Sequence, residues 1–175
     1  MIMNREKRIS KEKLKEGITV SLKKCTKHID GAETLINNDF LDDAIALIEF
    51  AIEDFGRAVY LRERLQTDLE TIEKSLETDH WLKYNKAFSV LPLELKTIWE
   101  NTISNFPKGH FPTNYFPKGH FPIMKGTISP STRLEAIFPY YDDKTQTWRS
   151  GINADREMLK TIVEKLRENV KAFLL

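Results

Sequence analysis

Cysteine is almost missing from this chain. Cys25 is the only one, which excludes an internal disulfide and any Cys-rich zinc site and makes a reducing, cytoplasmic setting the default expectation. Long apolar runs are missing too. None approaches the roughly 20 residues that a membrane helix needs, so no membrane partner is expected. The opening Met1-Ile2-Met3-Asn4-Arg5 lacks the apolar stretch of a secretory signal. Glycine is sparse, 7 in 175 residues. The chain has no Gly-rich phosphate loop, no Ser/His/Asp arrangement of interpretable spacing and no zinc signature. What remains is 41 % hydrophobic and 30 % charged, enough apolar content for one core in one domain.

Charge is balanced overall but unevenly spread. Residues 1–29 hold nine Lys/Arg and three Asp/Glu, residues 30–79 hold four and fourteen, and residues 80–175 hold fourteen and nine. A basic arm of this kind can contact nucleic acid by displacing counterions from phosphate. It can equally neutralise the acidic segment that follows it, and that plainer reading comes first.

Apolar spacing predicts an all-α fold. Leu14, Ile18, Leu22, Cys25, Ile29 and Ala32 recur at three and four residues, giving a first helix from about Ser10 to Ile36. A second helix is expected from about Asp39 to Glu77. Its apolar residues, Leu41 through Val59, fill about half of the helical wheel, so it should touch more than one neighbour. Trp81, Tyr84 and Phe88 mark a third helix near Asp79 to Ser89. Pro92 suits the first turn of a fourth, running to about Ser104. Leu159, Ile162, Val163, Leu166 and Val170 mark a last helix from about Asn153, its expected cap, to Phe173.

Two stretches break the pattern. Residues 106–129 are a Pro/Gly-rich loop insertion, within about 105–130, that repeats Phe-Pro-Lys-Gly-His-Phe-Pro and should be sensitive to protease. Leu134 to Tyr141 and Gln146 to Arg149, across an Asp-Asp-Lys-Thr turn, read as a small β-hairpin before the last helix. The sum is an antiparallel helical bundle with one hairpin.

Several residues are candidates for chemistry. His110 and His120 tempt a metal reading, but two histidines in a loop are short of the three or four ligands zinc needs, and a duplicated surface loop is the plainer account. Glu77-x-x-His80 has the spacing of a di-iron half-site, with Glu49 and Glu53 as facing carboxylates. That architecture needs a second such motif, which the chain lacks. No cofactor and no metal site are therefore assigned. Arg62 falls in the middle of the apolar stripe of the second helix and needs a carboxylate, a ligand or a cleft. Gly56, in the same helix, suggests close approach of another helix to a flank that carries Glu49 and Glu53. His80 opens the third helix, with Lys83 one turn on. His28 reads as a packing or rim residue.

Ala44 to Ala58 reads Ala-Ile-Ala-Leu-Ile-Glu-Phe-Ala-Ile-Glu-Asp-Phe-Gly-Arg-Ala. This run resembles the long second helix of the AbiV family of abortive-infection proteins, within the HEPN superfamily, through Glu53, Gly56, Arg57 and Ala58. His80-Trp81-Leu82-Lys83 resembles that family's His-x-x-Lys segment. Ala136 to Asp142, followed by Trp148, resembles its Tyr-Val-Asp strand and the aromatic after the turn. The resemblance spans roughly residues 20–173. It implies an antiparallel HEPN-like bundle that forms a homodimer, and a place among phage-defence or toxin-like proteins. Many HEPN proteins are metal-independent RNases that use Arg-x(4–6)-His on the last helix. Here that helix carries Arg156 and Arg167 but no histidine, and no arginine in the chain precedes a histidine at that interval.

The expected function is an AbiV-like HEPN protein acting on RNA or the translation machinery, with Glu53, Arg57, His80 and Lys83 as its polar site and Arg62 as an outlying candidate. The alternative is a non-catalytic bundle that binds a phage or host protein. A metal-binding bundle is the third reading.

Overall fold

The structure, a computed structural model, describes residues 6–104, 140–142, 147–149 and 154–174. Its longest elements are helices α1 (Lys11–Asn37) and α2 (Leu41–Gln66). Ser10 caps α1, its hydroxyl accepting from the Lys13 amide. Only Asn38, Asp39 and Phe40 join the two helices. Asp39 turns the chain at φ 65°, a left-handed conformation that short polar side chains tolerate better than most. The helices then run antiparallel, with Gly31 against Leu47 near the turn and Gly17 against Leu61 at the far end.

α2 is the centre of the molecule. It buries Ile48, Ile52, Phe55 and Val59 on its apolar stripe, and also Glu49, Glu53 and Asp54 on other faces. A helix buried all round must have neighbours on every side. These are α1, α3 (His80–Phe88) and α5 (Arg156–Leu174). The fourth helix, α4 (Leu93–Ser104), packs against α5 and adds Leu95 and Trp99 to the same core. Cys25 is buried there, and burial first, then the Asp54 charge, pushes its thiol pKa up. It is held as the unreactive thiol rather than the nucleophilic thiolate.

α2 stops at Gln66, well short of the Glu77 that the spacing predicts. The Thr67 amide closes on the Glu63 carbonyl, Asp68 takes φ 56°, and the Leu69 amide returns to the Arg64 carbonyl. The chain then forms strand β2 (Thr71–Glu73), antiparallel to β1 (Glu6–Arg8), with Lys7 opposite Ile72. The three- and four-residue spacing of Ile72 and Leu76 has a different cause from a continued helix. Both bury against Leu14, Tyr60 and Leu61 in a second apolar cluster under this ribbon. Arg64 ties the ribbon down, donating to Glu6 at 2.9 Å and to the Tyr60 hydroxyl at 3.1 Å.

The bounds of α1, α3 and α4 hold to within a residue or two. Asp79 caps α3 through the Leu82 amide at 2.8 Å. α5 begins at Arg156, with Asp155 rather than Asn153 as the cap, its carboxylate accepting from the Met158 amide at 2.9 Å. Strands β3 (Tyr140–Asp142) and β4 (Thr147–Arg149) form the hairpin, with Tyr141 opposite Trp148. The repeat loop, including His110 and His120, lies outside the described residues. The fold is all-α with these short strand pairs, and among the described residues no helix is long and apolar enough to cross a membrane.

Candidate functional site

The site forms where α3 crosses α2. A Cβ placed on Gly56 would lie 1.7 Å from the Lys83 carbonyl oxygen and 3.0 Å from the Ala87 amide nitrogen. The two backbones touch, and only glycine permits it. That approach brings the first turn of α3 over the polar flank of α2, and with it His80 and Lys83 onto Glu53.

Glu53 is buried, its side chain 9 % exposed. Both its oxygens lie within reach of the same imidazole nitrogen, 2.9 and 2.7 Å from His80 Nδ1. Lys83 Nζ is 3.3 Å from Glu53 Oε2 and donates to the Glu77 carbonyl oxygen at 3.2 Å. At 3 % exposure Lys83 is sealed in, so it acts on Glu53 and not on anything arriving from solvent. A carboxylate beside an ammonium can only accept, so Nδ1 carries the proton toward it. In the neutral ring this leaves Nε2 as the basic nitrogen. The His80 side chain is 36 % exposed, and Nε2 bonds to no described residue.

The next residue of α2 builds a second pair. Asp54 Oδ2 lies 3.1 Å from His28 Nδ1 on α1, yet that nitrogen is outside hydrogen-bond geometry. The His28 ring rests on Phe50, centroids 5.5 Å apart. Burial raises the Asp54 pKa, against the opposing pull of Arg57, His28 and Lys24 in that order. Arg57 sits between the pairs. Its guanidinium is 3.6 Å from Asp54 and 3.0 Å from Glu77, and its buried Nε has no hydrogen-bond partner.

Glu53, His80 and Lys83 therefore meet at one junction, and Arg57 lies beside it through the Asp54 and Glu77 carboxylates. Arg62 does not join them. Its guanidinium stacks on Phe173 of α5, 3.5 Å from the ring centroid, so an aromatic face fills the role for which a carboxylate or cleft was expected. Glu77 and His80 have other partners than a metal, and among the described residues no three His, Cys, Asp or Glu side chains are grouped to hold one. Asp54 and His28 are additions: the sequence points to no chemistry for Asp54, and His28 keeps the packing place expected of it, against Phe50, while facing that carboxylate. Their signal was the Glu53-Asp54 doublet itself, which places carboxylates about 100° apart on the helix and so against two different neighbours.

Compared with known proteins, the chain matches no family model, no curated protein and no solved structure. The chemistry of this junction rests on its own geometry.

Proposed function

We propose that the protein is an AbiV-like HEPN protein of the phage-defence or toxin type, a homodimer that cleaves RNA without a metal, with His80 as its acid–base group. One observation carries this reading: a buried carboxylate fixes His80 through Nδ1 and leaves Nε2 at the surface. That is the arrangement by which a carboxylate sets the tautomer and orientation of a general base.

Nε2 would take the proton of a ribose 2′-hydroxyl as its oxygen attacks phosphorus. The bond to the 5′-oxygen breaks, leaving a 2′,3′-cyclic phosphate, and the leaving oxygen takes up the proton that the imidazole holds. Arg57, part-exposed one turn from Glu53, would pair with the phosphate charge. Lys83 and Glu53 are positioning residues. Trp81 follows His80, stacks on Tyr84 with ring centroids 5.9 Å apart, and is part-exposed. Its outer face is a surface on which a nucleobase can stack.

The test is end-labelled tRNA and mRNA incubated with wild type and His80→Ala, with and without EDTA. Cleavage that resists EDTA and falls by about 10²- to 10⁴-fold in the variant is expected. Equal cleavage by both proteins would sink the role of His80. Light scattering at micromolar concentration reads the dimer, and a mass near the 20.4 kDa of one chain would oppose it.

A second reading, a non-catalytic bundle that binds a protein partner, is favoured by α5. Arg156 is engaged by Asp39 there, and Arg167 by Asp30 and Glu33, so both arginines of the last helix are tied into the bundle's own ion pairs. No cleavage by wild type, under conditions where a control nuclease works, would select it.

A further inference from the structure

The acidic segment does not neutralise the whole basic arm. At the start of α1, Lys11 pairs with Asp68 and Lys13 with Glu16. Farther along the helix a cluster of lysines lacks such pairs. Lys23, Lys24 and Lys27 are exposed, and none forms an ion pair with a described residue. Lys7 and Arg8 on β1, and Lys15, Lys74 and Lys171, are also without one, but Lys23, Lys24 and Lys27 are the three that fall together on α1. The nearest carboxylates along α1 are already engaged: Glu16 by Lys13, Asp30 and Glu33 by Arg167.

At 100° per residue the three lysines cover about 100° of one face of α1. Lys23 and Lys27 stand one turn apart, where like charges repel and weaken a helix. Lys24 acts on the Asp54 charge, but the Lys23–Lys27 repulsion has no opposite charge paired with it among the described residues, and a polyanion would relieve it. The face also leads to the junction. Lys24 is one turn from His28, which lies 3.1 Å from Asp54, and Asp54 neighbours Arg57. Arg57 reaches Glu77, whose carbonyl oxygen binds Lys83 on Glu53.

We infer that Lys23, Lys24 and Lys27 form a phosphate-binding track on α1 that leads a single RNA strand toward Arg57 and His80. The lysines meet successive backbone phosphates and read no base, so the track is indifferent to sequence. This rests on the RNA reading above, yet its binding step can be measured without cleavage.

The experiment titrates a labelled single-stranded RNA into wild type and the triple variant Lys23→Gln/Lys24→Gln/Lys27→Gln, by fluorescence anisotropy. Salt runs from about 50 to about 200 mM, and each phosphate contact contributes about 0.7 to the slope of log K against log salt. The triple variant should bind more weakly and lose about 2 from that slope. The single variants Lys23→Gln and Lys27→Gln should lose about 0.7 each, which keeps the idea testable if the triple variant folds poorly. The same variants rebuilt with arginine should restore binding. Lys160→Gln, whose lysine pairs with Glu157 on α5, should change nothing. An unchanged slope in the lysine variants overturns the track even if RNA is cleaved. Absence of RNA binding by wild type at low salt overturns it as well. Lysine-dependent binding with no cleavage supports the track and overturns the catalytic reading alone.

Discussion

Glu53 and Asp54 are neighbours in sequence, and each faces a histidine, but the two pairs are built differently. Glu53 holds His80 in hydrogen-bond contact at 2.7 Å and is itself held by a sealed ammonium, Lys83. Asp54 approaches His28 to 3.1 Å without bonding it, and its counter-charge is a part-exposed guanidinium. The first pair sits where two backbones touch at Gly56. The second spans the α1–α2 seam, where His28 lies against Phe50. Fixed geometry is what a general base requires. A loosely coupled carboxylate, made costly to ionise by burial, suits a site that adjusts to incoming charge. The contrast favours His80 over His28 for the proposed chemistry and leaves His28 beside the lysine face.

The strongest way to break the first pair is Glu53→Ala. It leaves the Lys83 ammonium buried without its counter-charge, and a loss of about 3–5 kcal/mol is expected from denaturant titration. Stability within about 1 kcal/mol of wild type would mean that water already reaches Lys83.

Gly56→Ala is next. A Cβ cannot coexist with the Lys83 carbonyl oxygen at 1.7 Å, so α3 must move. The expected cost is about 1–3 kcal/mol, as for other overpacked cores. Followed by NMR, the His80 ring signals should shift and those of His28 should not. Equal shifts of both would show that the two pairs are not independent.

The smallest effect belongs to Asp54→Asn, and it depends on pH. The carboxyl's raised pKa in the fold means that the folded chain holds this proton more tightly than the unfolded one. Wild-type stability from this group is full below the ordinary carboxyl value of 3.8 and declines as pH rises from there through the raised value. The asparagine variant lacks that decline. Wild type minus variant stability should therefore fall with rising pH in denaturant series, and a difference that rises instead would refute the burial argument.

Much of this architecture was legible in the chain. Regular apolar spacing located α1, α3, α4 and α5 to within a few residues, because each buries a definite stripe. It overran at the end of α2, because Ile72 and Leu76 serve a strand and a turn with the same spacing that a helix would use. Strand β1 had no signal of its own. Its Glu6, Lys7 and Arg8 are charged, and their pairing is set by Arg64 and Thr71 far along the chain. Gly56 was legible as a close approach because glycine is costly in a helix without one. Its partner could be found only in three dimensions, as could the ring of Phe173 under Arg62. The His28–Asp54 pair was hidden for the same reason, since its two residues lie on different helices, far apart in sequence.

The contact at Gly56 also bears on how the protein can change over generations. Where side chains set the distance between two helices, core residues can drift in size and the helices follow. Here main chain meets main chain, so the placement of His80 over Glu53 is uncoupled from the identity of the apolar residues around it. Lineages of this protein could therefore repack Ile48, Ile52 or Val59 freely while the junction stayed in place. The one position closed to drift would be the residue with no side chain.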